Sequence, residues 1–404
     1  MIMPTNPRSW TPAAVPADFV LGHVRAVLTD QVLDDALVAV RAGRIEAVQP
    51  HRPGVRADLD GGNLLCVPGL IDIHSDGLER ERAPRPGAEL PIGFALRSFE
   101  GKLRAAGITT VFHGAGFEER GSGGLRRSVD AALQLCGAID EFPSGAVDHR
   151  ILYRLDVRCP HGLAALRDRL DRVGDRVEHL VSHEDHTPGQ GQYADRAYFE
   201  RYISGTQGLS AQQARETVDQ LIADRDDRLD IREQAMSWLG AQAMAGRIRL
   251  LGHDPATPEE IAELVGRGGT VAEFPTTEAA ARAAREQGLP VVMGAPNVLR
   301  GASHNGNASG RDLVAQGLVT ALASDYLPSG LLTAALLLAR DGLATLPAAI
   351  RLVTAGPAEV AGLTDRGALR PGLRPDLVLV DTAPRWPSVR TVLIPEFPVP
   401  IGAS

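Results

Sequence analysis

The sequence predicts an α/β chain: a (β/α)8 TIM-type barrel, with a small β-sandwich built from both chain termini beside it. Three observations carry this expectation. Between residues 66 and 364 apolar strands alternate with helical patterns of crossover length, as in a parallel sheet with helices outside. Residues 18–65 and 365–400 show strand patterns without that alternation. Imidazoles and carboxylates also recur where apolar strands give way to loops, the edge where such barrels place their chemistry.

Taken in order, residues 1–17 are irregular and lack the apolar stretch of a secretion signal. Asp18 to Leu28 and Ala36 to Val48 read as short strands, with Arg41-Ala42-Gly43-Arg44 as a hairpin turn. No helical period is visible before residue 90. The apolar run Leu64 to Ile73, broken by Pro68-Gly69, reads as the first barrel strand and ends at His74-Ser75-Asp76. Extended backbone would project His74 and Asp76 to the same side.

Leu96, Phe99, Leu103 and Ala106 have helical spacing, Gly107 suits a helix end, and Ile108 to Phe112 is a strand. The best-marked unit starts at Thr257, an N-cap with Pro258 at the first helical position and Glu260 completing a capping box. Gly268-Gly269 ends that helix and Thr270 to Phe274 is the next strand. Further strands are expected at Pro290 to Met293 and Val319 to Ala323. The charged stretch 193–249 has helical period and reads as an insertion over the barrel mouth, its charges forming a solvated face. The segment Asp365 to Val380 is expected to pair with the N-terminal strands.

Composition narrows the function. At 404 residues the chain can hold one large domain and a smaller one, and its net charge of −8 speaks against nucleic acid as the partner. No run of about 18 apolar residues occurs, so no membrane span is expected. Cys66, Cys136 and Cys159 have no metal-motif spacing, as in a reduced cytoplasmic protein. A small anionic molecule remains open as a partner, because it answers to local Arg, His and metal rather than to net charge, and a homodimer is left open too.

Metal-type ligands stand at five strand ends: His74 with Asp76, Asp156, Asp185-His186, His253-Asp254 and Asp325. Imidazole and carboxylate without thiolate suit Zn2+ first, then Mn2+ or Fe2+, as one ion or two. Such an ion lowers the pKa of bound water from about 15.7 toward about 7, and Asp325 is placed to accept a proton from it. The loop Arg300 to Asn307 offers glycines for close backbone approach and Arg300 and His304 for anions.

This pattern resembles the amidohydrolase superfamily. Within it, Asp185-His186-Thr187-Pro188-Gly189-Gln190, Glu273-Phe274-Pro275-Thr276-Thr277, Gly294-Ala295-Pro296-Asn297-Val298 and Arg300-Gly301-Ala302-Ser303-His304-Asn305-Gly306-Asn307 resemble one branch. That branch is the α-D-ribose 1-methylphosphonate 5-triphosphate diphosphatases of the carbon–phosphorus lyase pathway. The resemblance implies cleavage of a ribose triphosphate to a 5-phosphate and pyrophosphate. It implies His74 and Asp76 on one metal, His186 and His253 on the other, Asp156 bridging, and Asp325 as ligand and catalytic residue. It places Arg300, His304, Asn307, Asn297 and Gln190 at the substrate.

The chain departs from the branch at Gly77, His113, Leu152, Asp156, His183 and Pro255, positions near strand ends and therefore expected to touch the substrate side. An alternative is thus a superfamily enzyme shifted to cyclic amide or amidine hydrolysis. A third is a barrel that only binds a ligand, against which the full ligand set speaks.

Overall fold

Alternating apolar residues and tight turns shape residues 19–50 into a meander. A computed structural model describes residues 15–85, 87–122, 125–144, 146–174, 179–193, 195–303 and 306–395. The chain opens with β1 (Phe19–Val27), β2 (Val32–Arg41), β3 (Arg44–Pro50), β4 (Leu59–Asp60) and β5 (Leu65–Pro68). Ala42 and Gly43 both have positive φ (49° and 68°), the twist that a two-residue β2–β3 turn demands.

The barrel strands follow as β6 (Leu70–Ser75) and β7 (Ile108–Phe117), then, after the small hairpin β8 (Arg120–Ser122) and β9 (Leu125–Arg127), β10 (Asp148–Asp156) and β11 (His179–Glu184). They continue with β12 (Ile248–His253), β13 (Val271–Glu273), β14 (Val291–Gly294) and β15 (Ala321–Ala323). The chain ends in β16 (Leu377–Asp381) and β17 (Ser388–Leu393). Residues 177 and 178, just before β11, lie outside the described residues, as do residues 396–400 of the terminal unit.

Both termini join one seven-stranded sheet, ordered β17-β16-β5-β1-β2-β3 with β4 on β1. The seam between them is antiparallel, Leu377 opposite Pro68 and Val380 opposite Leu65. Eight parallel strands form the second sheet in sequence order from β6 to β15. It closes where the Asp325 N–H donates to the His74 carbonyl (2.9 Å) and the Asp76 N–H donates to the Asp325 carbonyl (2.6 Å). The closing bonds therefore involve three of the residues expected at the metal site.

Two apolar layers hold the barrel. Ile71, Ile73, Phe112, Leu152, Leu180, Leu251, Val271 and Val292 fill its interior. A larger cluster, including Phe99, Leu103, Leu166, Leu239 and Leu264, packs the helices onto its outside. The Thr257 capping box forms as expected, with the hydroxyl accepting from the Glu260 N–H and Glu260 accepting from the Thr257 N–H.

Two expectations need correction. A short helix, Gly77–Arg82, begins directly after Asp76; six residues give too little periodicity to be read from sequence. The inserted region is also narrower than 193–249. Helices Arg196–Gln207 and Ala211–Asp226 have their own core of Phe199, Ile203, Ala214 and Val218. The third helix, Leu229–Met244, instead buries Ala235, Met236 and Leu239 in the main core, as a regular barrel helix. Among the described residues no helix is long and apolar enough to cross a membrane.

Candidate active site at the carboxyl rim of the barrel

A cavity of about 490 Å³ opens at the ends of the parallel strands. His74, Asp76, His186, His253 and Asp325 all face it, brought together from β6 and the residue after it, the loop after β11, the end of β12 and the second residue after β15. The backbone bends to achieve this. Asp254, Phe274 and Asp325 each hold φ near +54° (54°, 53° and 54°), a region costly for residues with a side chain. Asp76 is not extended either (φ −96°, ψ 6°), yet its Oδ1 lies 3.8 Å from His74 Nε2.

Among the described residues, two sets of ligand-type atoms lie within 4.8 Å of one another here, His186, His253 and Asp254, and His74, Asp76 and Asp325, and a third set, His74, His253 and Glu273, lies between them. Glu273 joins the two sets. Its carboxylate oxygens lie 2.8 Å from His74 Nδ1 and 2.7 Å from His253 Nδ1, and it accepts a third bond from the Ser182 hydroxyl (2.6 Å). A carboxylate on Nδ1 fixes the proton there and leaves Nε2 of each imidazole available as a ligand.

The electrostatics call for a cation. Burial would lower His253, but Asp254, Glu184 and Glu273 outweigh it and raise the imidazole to about 10. Burial pushes Asp254 up to about 6, His253 opposing it and Glu184 adding to it. Asp254 Oδ2 is buried with no hydrogen-bond donor, and lies 3.5 Å from His253 Nε2 and 4.0 Å from His186 Nε2. An orphaned buried carboxylate oxygen facing two imidazole nitrogens is a donor set that fits a divalent cation. Asp325 is also raised above the usual carboxylate range, by burial first and by the charge of Asp76 second.

Sequence reasoning missed the buried Arg154 and the half-buried Arg127. Arg154 donates to both oxygens of Glu184 (2.6 and 3.2 Å) and, through Nη1, to Asp76 (2.5 Å). Arg127, carried on β9, donates to Asp76 (2.9 Å) and Glu79 (2.8 Å). Burial opposes charge on Asp76, but Arg154 and Arg127 win and hold it below the usual range. Arg154, Glu184 and Glu273 all sit on strands next to the expected ligands, so proximity to a strand end was the available signal.

Asp156 is not brought to this cluster. Its two oxygens each accept from Arg225 (2.9 Å) and one accepts from the Arg158 N–H (3.0 Å), so its acceptor positions face an arginine and a turn. Of the expected substrate contacts, Arg300 and Asn307 line the cavity, and Arg300 Nη1 donates to the Tyr326 hydroxyl (2.5 Å). Asn297 lines it too, but its amide is spent on the loop, donating to the Ala308 carbonyl and accepting from the Gly310 N–H. Gln190 lies behind His186 in a separate small cavity and donates to the Asp185 carbonyl. His304 lies outside the described residues.

The departures fall mostly away from the cavity. His113 is fully buried on the helix side of β7, its Nε2 2.8 Å from His149 Nδ1. His183 sits with Met236 and Leu264 between strand and helices, where burial, Arg232 and His253 lower it to about 4. Leu152 belongs to the barrel's apolar interior. A Cβ at Gly77 would stand 2.6 Å from the Phe99 ring and 3.0 Å from Pro328, so the packing of that helix excludes a side chain there. Strand-end position in sequence did not distinguish the two faces of a strand, and that is why these changes read as facing substrate.

No protein-family model matches the chain. The α-D-ribose 1-methylphosphonate 5-triphosphate diphosphatase of Escherichia coli (strain K12) is 35% identical over 372 residues, covering 89% of this chain and 94% of that protein. The chain belongs to this diphosphatase family. The likeness covers most of the chain. An imidazolonepropionase from Cereibacter sphaeroides is 27% identical over 396 residues, 89% of this chain and 92% of that one. Among solved structures, an N-acetyl-D-glucosamine-6-phosphate deacetylase mutant from Mycobacterium smegmatis shares the fold, with a TM-score of 0.60 at 15% identity, covering 94% and 98% of the two chains.

Proposed function

We propose that the chain hydrolyses α-D-ribose 1-methylphosphonate 5-triphosphate, or a close ribose triphosphate, to the 5-phosphate and pyrophosphate. The observation that carries this reading is the joining of two imidazole–carboxylate sets to one wall of arginines. Arg80, Arg127, Arg154 and Arg300 all line the same cavity. Arg127 and Arg154 are already paired with Asp76, Glu79 and Glu184, but Arg80 and Arg300 would gain nothing from a neutral cyclic amide, whereas a triphosphate offers them anionic acceptors.

The residues that would hold divalent cations are His186, His253 and Asp254 on one side and His74, Asp76 and Asp325 on the other, with Zn2+ the first choice and Mn2+ or Fe2+ the alternatives. A bound cation supplies Lewis-acid activation of water and screening of phosphate charge. In the reaction a water oxygen forms a bond to the α-phosphorus as the bond from that phosphorus to the pyrophosphate oxygen breaks. Asp325 takes the proton as the general base. Asp254, beside His253, is part of the ligand set and replaces Asp156 in this assignment. Glu273 holds both imidazoles in the tautomer that presents Nε2.

Tyr326 stands between two of the cavity's arginines, with the Arg80 guanidinium 4.7 Å from its ring centre and Arg300 on its hydroxyl. This fixes the two cations on one wall, where a polyphosphate tail would lie. Arg300→Ala is expected to raise KM for the triphosphate about tenfold or more, with a smaller effect on kcat, for the loss of one charge-assisted hydrogen bond. Steady-state kinetics check this, and an equal effect on an uncharged substrate would count against it. The activity itself is tested by incubating metal-loaded protein with a ribose 5-triphosphate and assaying pyrophosphate. Release of orthophosphate only, or no release, would overturn the reading.

A further inference from the structure

We infer that Arg225 is a positioning residue that latches the inserted helices to the loop carrying His186. It rests on the reading of His186 as a metal ligand. Arg225 lies in the last turn of helix Ala211–Asp226 and is 8% exposed. Its guanidinium reaches out of the insertion to three groups on the barrel rim. It makes two 2.9 Å bonds to the carboxylate of Asp156 at the end of β10, one of 2.9 Å to Asp185, and one to the Thr187 hydroxyl. Asp185 and Thr187 are the two neighbours of His186, so the ligand stands between two residues held by the same side chain.

The latch is doubled from the barrel side. Arg158, two residues past β10, donates to the backbone carbonyl of Arg225 (2.8 Å) and to Asp226 (3.2 Å). It also donates to the second oxygen of Asp185 (2.8 Å). Each segment thus lends an arginine to the other, and Asp185 is gripped by both. Thr187 and Asp185 are further joined by a 2.6 Å bond between their side chains. The insertion's own core also reaches the loop through Tyr193, whose ring lies 4.7 Å from that of Phe199 and 6.0 Å from that of His186, so the arginines add a polar clamp to an aromatic contact. The bidentate geometry needs a planar fork, so lysine could not reproduce it. The same insertion brings Tyr202 to the cavity wall, so its docking and the order of His186 are set together.

Asp156 gains a role from this: it anchors Arg225, and through it the His186 loop. The test uses zinc-loaded full-length protein and two readouts besides turnover. The first is the rate of zinc loss to a chromogenic chelator, and the second is the rate of cleavage by a dilute protease within residues 196–228. Arg225→Gln is expected to speed loss of one zinc about tenfold or more, the scale seen for removing partners that orient ligands, and to speed cleavage in the insertion. Asp156→Asn should do the same, and the double variant should be no worse than either alone. Asp325→Asn, away from the latch, should leave protease resistance unchanged.

Faster cleavage with unchanged zinc retention would overturn the inference, because the arginine would then hold the insertion without positioning the ligand. So would additive effects in the double variant, which would mean that Asp156 acts separately. Wild-type behaviour of Arg225→Gln in both readouts would overturn it as well. Failure of the diphosphatase reading alone would leave zinc retention and cleavage following the latch while no pyrophosphate appeared.

Discussion

The Asp325→Asn variant is expected to fold, to retain most of its metal, and to lose about a hundred- to ten-thousand-fold in kcat. Asparagine can occupy the left-handed backbone conformation that position 325 requires, so the chain's turn after β15 should survive the change. The backbone bonds that close the barrel, from the Asp325 N–H to His74 and from Asp76 to the Asp325 carbonyl, do not involve the side chain. What disappears is the carboxylate that takes the proton. Removing a buried charge from beside another should leave the melting temperature of the metal-free protein no lower than wild type. Stopped-time assays of pyrophosphate together with calorimetry check both halves. A variant that keeps wild-type kcat would remove Asp325 from the chemistry, and one that no longer folds would make it structural.

A different kind of loss is expected at Glu273. Glu273→Gln keeps the size but places an NH2 group where one imidazole Nδ1–H now donates. That histidine must move its proton to Nε2 and can no longer ligate through it, so metal affinity should fall about ten- to a hundredfold. The buried ion pairs also go, at a cost on the order of 3 kcal/mol in the metal-free protein. The pH dependence follows from two shifts. Burial works against charge on Glu273, but His74 and His253 outweigh it and hold it well below the usual range, so its contribution is present above that range and is lost in acid. His253 is raised to about 10, so its contribution is full below about 6.5 and fades as pH climbs through 10. Metal-free wild type should therefore exceed Glu273→Gln in stability most clearly between these limits. Denaturant titrations at pH 6 and 10 check this, and a constant difference would contradict it.

Periodicity and ligand chemistry made much of the fold legible. The capping box at Thr257, the hairpin at Ala42-Gly43 and the alternation of strand and helix each have a local physical cause, and each sits where it was expected. The composite sheet was readable because two stretches of strand without helix stood at opposite ends. Asp156 went wrong for a nonlocal reason. Its partner Arg225 lies 69 residues away, on a helix whose docking no local pattern reveals. Glu273 and Arg154 were hidden for a related reason. A buried charge is uncommon without a partner, but the partners here come from other strands, so only the closed barrel shows that the charges are matched. His113 and His183 were expected on the substrate side because they depart from the branch near strand ends. Their strand faces were decided by register, and a shift of one residue turns a side chain from the cavity to the helix layer.

The placement of the cations can be measured directly by diffraction from crystals of zinc-loaded protein at the zinc absorption edge. Anomalous peaks are expected among His186, His253 and Asp254 and among His74, Asp76 and Asp325, with none beside Asp156. A peak ligated by Asp156, or a rim without peaks in zinc-loaded crystals, would contradict the assignment of this site.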